Sequence, residues 1–218
     1  SLKTWRLLKP DAMIMSDPGL IMRARETMPE IPIHLSVQAN CMNYRAVEFW
    51  HRHLGVERVI LSRELNIDEI REIKQRVPEV ELEAFVHGAI CIAYSGRCLL
   101  SSYFSYRDAN QGVCDNSCRE QFHLLGSDRK KNESQDFYLE DLRSPGQLYQ
   151  IDEDESGTYI MNSKDLRLIQ HLRELKDAGV ESFKIEGRTK SVYYAALTTR
   201  AYRRAIDDLE EKKDFDKN

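Results

Sequence analysis

Arg58-Val-Ile-Leu-Ser-Arg-Glu-Leu-Asn-Ile-Asp-Glu-Ile-Arg-Glu-Ile-Lys-Gln-Arg-Val-Pro-Glu-Val-Glu-Leu-Glu-Ala-Phe-Val86 carries the pattern that decides the fold. Its first five residues, Arg58 to Ser62, form a short apolar run of the kind that makes a buried strand. Ile67, Ile70, Ile73 and Val77 then recur at three- and four-residue steps, which puts them on one face of a helix spanning about Ile67 to Arg76. Glu81 to Val86 returns to strand character. Strand, helix and strand in succession make a βαβ unit, and βαβ units require a parallel sheet.

The same alternation extends upstream. Asp11 to Met15 reads as a strand ended by Ser16-Asp17-Pro18-Gly19, followed by a helix from Leu20 to Met28. Ile31 to Val37 is another strand, and Asn43 is placed to cap a helix running to about His53. Downstream the pattern breaks. From Gly88 to about Ser156 there is no helix–strand alternation, and the expectation is coil with short hairpins. Regularity resumes with a strand at Thr158–Met161 and a helix from about Lys164 to Ala178, with Ser163 as N-cap and Gly179 at its stop. Ser182 to Glu186 is a last strand and Ser191 to about Glu211 a long helix. The domain reading is 1–87 and 157–218 as (β/α) repeats, with 88–156 inserted between them.

Polar residues recur after these strands: Ser16-Asp17, Gln38 to Asn40, Arg63-Glu64, His87, Asn162 to Asp165, and Glu186 to Arg188. In a (β/α) barrel such strand ends form the active-site face. Only five or six strands are readable, and a closed barrel needs eight. The expected fold class is therefore α/β: a partial TIM-barrel-like (β/α) repeat with an irregular cysteine-bearing insertion, present as an open sheet or as a fragment. A sheet cut from a barrel has uncovered edges, which predicts pairing with a second copy of the chain.

The 41% hydrophobic and 31% charged composition is that of a globular domain. A formal charge of −4 argues against avid nonspecific nucleic-acid binding while leaving room for a local basic patch. No apolar run reaches the roughly 20 residues of a membrane helix. Ser1 to Pro10 lacks the apolar stretch of a signal peptide, so the expected location is the cytoplasm and no membrane partner is expected.

Four of the five cysteines, Cys91, Cys98, Cys114 and Cys118, fall within 28 residues at C-x6-C-x15-C-x3-C spacing, and Cys41 stands apart. Cytosolic thiols oppose a disulfide scaffold. Four converging thiolates suit zinc or an iron–sulfur cluster. Zinc prefers two tight pairs, and only Cys114/Cys118 qualifies; the loose first pair, with Gly88, Gly96 and Gly112 nearby, leans towards a cubane cluster. His51 and His53 lie on a helix and read as solvated or capping groups, not as metal ligands. Asn132-Glu-Ser134 is a glycosylation sequon without meaning in a cytosolic chain, and Asp152 to Glu155 reads as a solvated turn.

Several stretches closely resemble the collagenase-like peptidase family: Ile14 to Leu20, His34 to Asn40, Arg58 to Glu64, Phe85 to Cys91, Ala93 to Ser101, Tyr159 to Leu166 and Lys184 to Lys190. The resemblance spans nearly the whole chain apart from about 126–149. It is strongest to the members that support 5-hydroxylation of the tRNA wobble uridine, with prephenate implicated. It implies a TIM-barrel-like domain, tRNA as partner, and a 4Fe–4S cluster held by Cys91, Cys98, Cys114 and Cys118, of which the first three fall where the motif is most distinctive. It also implies a fragment, since full-length members have further strands before the residues matching Leu2 and a small β domain after Phe215.

Under that reading His87, Arg63, Glu64, Lys184, Glu186 and Arg188 line a catalytic pocket at the strand ends. Arg63, Lys184 and Arg188 would pair with the carboxylates of prephenate or with RNA phosphate, unless they form structural ion pairs such as Arg63 with Glu186. Tyr94 and Tyr103 would stack on a base. Two alternatives stand beside it. One is a peptidase, for which neither HExxH nor GxSxG occurs and only a Cys91–His87 pair could serve. The other is a non-catalytic iron–sulfur partner protein.

Overall fold

The structure, a computed structural model, describes residues 2–91, 93–94, 97–107, 113–119, 122–126, 137–142, 145–146, 148–151, 165–187 and 190–211. The chain divides into two compact units, Ser1–Arg97 with Lys164–Asn218, and Cys98–Ser163.

The first unit contains helix α1 (Leu2–Leu8), strand β1 (Met13–Met15), α2 (Pro18–Thr27), β2 (Ile33–Leu35), α3 (Tyr44–Leu54), β3 (Arg58–Ile60), α4 (Ile67–Arg76) and β4 (Glu81–Gly88). Its helices start where side chains can satisfy the first free N–H groups. Asp17 Oδ1 accepts from Leu20 N and is followed by Pro18 in the first turn, and Asn43 accepts from Ala46 N. Asn66 and Glu69 form a reciprocal capping box at α4. Each such cap contributes about 1 kcal/mol. Gly55, at φ 62°, closes α3 in the left-handed conformation.

Strands β1 to β4 pair in parallel and in sequence order, with Met13 opposite Ile33, His34 opposite Arg58 and Val59 opposite Leu82. β9 (Val180–Ile185) continues the parallel sheet on the other edge of β4. β8 (Leu166–Arg167) pairs antiparallel with β4 at His87 and Gly88, past the point where β3 ends. The fold is thus α/β with a parallel-dominant sheet, and among the described residues that sheet is open and not closed into a barrel.

Inward residues at period two build the core. Met13, Ile33, Leu35, Val59, Leu82, Ala84 and Val86 meet Ile21, Ala24, Val47, Ile70 and Ile73 of the helices. Leu172 and Leu175 of α6 (Leu172–Asp177) and Tyr202 of α7 (Val192–Glu210) complete it. The alternate residues Ile14, His34, Arg58, Ile60, Glu83 and Phe85 belong to the opposite sheet face, where Ile14 is 56% exposed.

Two expectations are corrected. The helix expected over 164–178 begins only at Leu172; Leu166–Arg167 are drawn into β8, and a 3₁₀ turn at Ile169–His171 precedes the helix. The Ser163 cap and the Thr158–Met161 strand lie outside the described residues. In the second unit the expected hairpins form an antiparallel sheet of β5 (Phe122–Gly126), β6 (Phe137–Asp141) and β7 (Leu148–Ile151), while helix α5 (Leu100–Ser105) stands where coil was expected. No helix among the described residues is long and apolar enough to cross a membrane.

Candidate functional site

The parallel strands bring their C-terminal ends to one rim, and a series of polar contacts runs along it. Ser16 Oγ donates to Gln38 Oε1 at 3.4 Å, linking the residues after β1 and β2. Ser62 Oγ meets Asn40 Oδ1 at 3.2 Å and also hydrogen-bonds Glu64. Arg63, after β3, lies 3.9 Å from Glu186, after β9. Its guanidinium is stacked 3.5 Å above the Phe85 ring. Burial lowers the Arg63 pKa, and the opposing negative neighbours are Cys91, Glu186 and Glu64. Arg63, Glu64, Ile90, Cys91 and Ala93 line a small cavity of about 60 Å³. A cation beside a sulfur favours its thiolate, the form that ligates metals.

Gly88 is what allows β4 to approach this rim. It adopts φ +107°, and a Cβ there would meet the Glu186 carbonyl oxygen at 2.2 Å. The same approach lets Glu186 N donate to His87 O at 2.9 Å.

His87 occupies a separate pocket. The register slips between Phe85 and His87, and the imidazole meets Tyr202 and Tyr194, at ring-centroid distances of 5.4 and 5.8 Å. Tyr202 Oη donates to Val86 O at 2.7 Å, so its oxygen accepts from His87 Nδ1 at 3.3 Å. Burial lowers the His87 pKa, with Asp165 opposing and Arg167 and Lys190 reinforcing the shift. With the Tyr202 hydroxyl proton directed at Val86 O, the His87 contact is made by an Nδ1–H donor, and burial favours the uncharged ring.

Lys184 shares the Phe85 ring with Arg63, its Nζ lying 5.7 Å from the ring centroid. Its Nζ donates to Glu83 Oε1 at 2.8 Å, within the sheet's second face. Glu83 is a buried carboxylate held also by Ser182 Oγ at 3.0 Å and by Arg58 at 3.5 Å. Arg58 in turn binds Glu81 at 2.6 Å. Arg188 lies outside the described residues.

The cysteines fall on both units. Cys91 belongs to the first and is exposed; Cys98, Cys114 and Cys118 belong to the second, where Cys118 is buried. None of the five described cysteines is in a disulfide. Asn116 N donates to Cys114 Sγ at 3.3 Å, the contact by which a turn stabilises a sulfur anion. Among the described residues no group of three or more His, Cys, Asp or Glu side chains is arranged to hold a metal ion. Cys41 is buried in the core, with its thiol pushed up to about 12 by burial, so it is packing. His51 Nδ1 bonds Val56 O at 2.8 Å behind α3, a capping role.

The Peptidase family U32 profile matches residues 1–218, the whole chain. The chain belongs to peptidase family U32. This U32 chain is 52% identical over 231 residues to "tRNA hydroxylation protein P" of Escherichia coli (strain K12), covering 95% of the chain and 51% of that relative. It is 34% identical over 206 residues to "Collagenase" of Porphyromonas gingivalis (strain ATCC BAA-308 / W83), covering 90% of the chain and 44% of the relative. The solved structure of the U32 peptidase Mk0906 is similar at a TM-score of 0.43 and 18% identity, over 85% of this chain and 60% of that one. The U32 chain spans about half the length of the curated relatives it matches.

Sequence reasoning missed Glu83, Tyr202 and Asp115 in this U32 chain. For Glu83 there was a signal, because Glu81 and Glu83 put two carboxylates at period two inside an apolar strand. For Tyr202 the signal was an aromatic on the inward face of α7. For Asp115 there was none, since its partners are serines at no regular spacing.

Proposed function

We propose that this chain is the cluster-bearing part of a tRNA hydroxylation protein, acting in the cytoplasm on the wobble uridine of tRNA with prephenate as a small-carboxylate co-substrate. The observation that carries this reading is the 52% identity over 95% of the chain to the relative of that name. Cys91, Cys98, Cys114 and Cys118 would hold a 4Fe–4S cluster, which when bound supplies one-electron chemistry. What supports this is the chemistry of the donors and not their arrangement: four cysteines outside any disulfide supply the sulfur ligands such a group needs, and one of them accepts a backbone N–H at 3.3 Å.

In this reading Arg63 binds a carboxylate or phosphate at the rim. Its guanidinium is oriented by Phe85 and Glu186 and sits beside Cys91. His87, turned to Tyr194 and Tyr202, supports the end of β4 from the α7 side. Lys184 and Glu83 support the sheet beneath. The sequential strand order and the polar second face support the sheet's being part of a (β/α) barrel.

A peptidase reading has the relative named "Collagenase" on its side. It needs Cys91 and His87 as a pair, whereas His87 turns to Tyr194 and Tyr202, and Cys91 to Arg63 and Glu64. The test uses the full-length protein, purified without air. Iron, sulfide and absorption near 400 nm, all lost on Cys→Ser exchange at the four positions, are expected. No iron in reconstituted wild type would end the cluster reading, and proteolysis abolished by Cys91→Ala alone would favour the peptidase.

A further inference from the structure

The turn between Cys114 and Cys118 is held by one carboxylate. Asp115 Oδ1 accepts from Ser101 Oγ at 2.8 Å, from Ser117 N at 3.0 Å and from Ser117 Oγ. Asp115 Oδ2 accepts from Ser105 Oγ. The backbone closes the arrangement, because Asp115 N donates to Ser101 Oγ at 2.9 Å. Ser101 and Ser117 are each only 2% exposed. The carboxylate therefore latches α5 to the turn at buried hydroxyls, while its own charge is taken up by four donors.

Between the two cysteines, Asn116 stands in the left-handed conformation at φ 60°. That geometry costs a non-glycine residue on the order of 1 kcal/mol, and here it turns the Asn116 N–H onto Cys114 Sγ at 3.3 Å. A backbone conformation of this kind persists only where its surroundings fix it. The groups that fix it are the Asp115 bonds on one side and the 3₁₀ turn Ser117–Arg119 on the other.

We infer that Asp115 is a positioning residue for the Cys114/Cys118 ligand pair: by bonding Ser101, Ser105 and Ser117 it sets the turn that aims the Asn116 N–H at the Cys114 sulfur. The inference rests on the reading of these cysteines as cluster ligands. A carboxylate adjacent to thiolate ligands is ordinarily adverse, since like charge raises the cost of the anion. Binding by four donors offsets that cost, and would make the side chain part of the outer shell of a metal group held by these cysteines.

The experiment uses the full-length protein reconstituted with iron and sulfide without air. It compares wild type with Asp115→Ala, Asp115→Asn and Ser105→Ala, and reads the rate of iron loss to a ferrous chelator, the reduction potential, and helix content by circular dichroism. Asp115→Ala is expected to lose iron roughly tenfold faster or more, the range seen for second-shell changes at metal sites, with unchanged helix content. Asp115→Asn keeps the side chain's shape and one acceptor oxygen, so it folds; it is expected to show a smaller loss and a potential raised by removal of the negative charge. Ser105→Ala removes one of the four donors and is expected to stay near wild type. Wild-type iron retention and potential in both Asp115 variants would overturn the inference with the cluster reading intact. A wild type that binds no iron would overturn the cluster reading itself.

Discussion

Replacing Gly88 by alanine tests how β4 and the segment after β9 are held together. Two costs can be worked from the geometry. The first is backbone strain: Gly88 sits at φ +107°, where a side chain costs about 1–2 kcal/mol. The second is overlap. The new Cβ would lie 2.2 Å from the Glu186 carbonyl oxygen and 3.0 Å from the Glu186 Cβ. Relieving such an overlap moves backbone, at a cost of about 1–3 kcal/mol. The sum is about 3 kcal/mol. Urea unfolding followed by circular dichroism is the assay; with an m of about 2 kcal/mol per molar, the midpoint falls by roughly 1.5 M. Gly146→Ala is the control, because Gly146 is at φ +89° with nothing within 4 Å of its Cβ position. It carries only the strain, and its shift should be about half as large. Equal shifts in the two variants, or a Gly88→Ala midpoint within about 0.3 M of wild type, would refute the close-approach argument.

Other outcomes follow from the same geometry. Tyr202→Phe removes the bonds to Val86 O and His87 Nδ1, and calorimetry should show a loss of about 1–2 kcal/mol; a neutral result would mean that neither bond matters. Lys184→Met leaves the buried Glu83 with Arg58 and Ser182 alone. A loss of about 2 kcal/mol is expected, below the roughly 3–5 kcal/mol of a fully broken buried pair because two partners remain, and an unchanged unfolding midpoint would count against the pair. Burial lowers the pKa of His34 and of His87. The unfolded chain therefore binds protons that the folded chain refuses, so their contribution is complete above about pH 6.5 and declines as pH falls below it. Asp115 behaves oppositely in origin: burial raises its pKa, but bonds from Ser105, Ser117 and Ser101 outweigh this and hold it at about 2, so its contribution fades only below about pH 4. Unfolding midpoints of wild type and a His34→Gln/His87→Gln double variant between pH 5 and 8 check the upper window; an identical acid slope in both would reject the assignment.

The fold was legible where a single local rule operates. Ile67, Ile70, Ile73 and Val77 announced α4, and Asn43 marks the start of α3 through its own side chain. The rim was legible because polar residues follow each parallel strand. What escaped was set by long-range pairing. Leu166–Arg167 read as helix because nothing nearby reveals that β4 extends to Gly88 and takes them as a partner. Lys184 read as a rim group, and its ion pair with the buried Glu83, across the sheet face that also carries Phe85, was not readable from the sequence. His87 was placed among the rim residues, but the register slip after Phe85 turns it towards α7. Asp115 is defined by serines 14 and 10 residues before it and 2 after it, a constellation only the folded chain assembles.

The proposed function gives this U32 chain a part in tRNA hydroxylation that depends on its cysteines. The most direct measurement is the 5-hydroxyuridine content of the tRNA wobble position in cells lacking the full-length protein, complemented with wild type or with Cys98→Ser. Restoration by wild type and none by Cys98→Ser is the predicted result. Full restoration by Cys98→Ser, or none by wild type, would contradict the account.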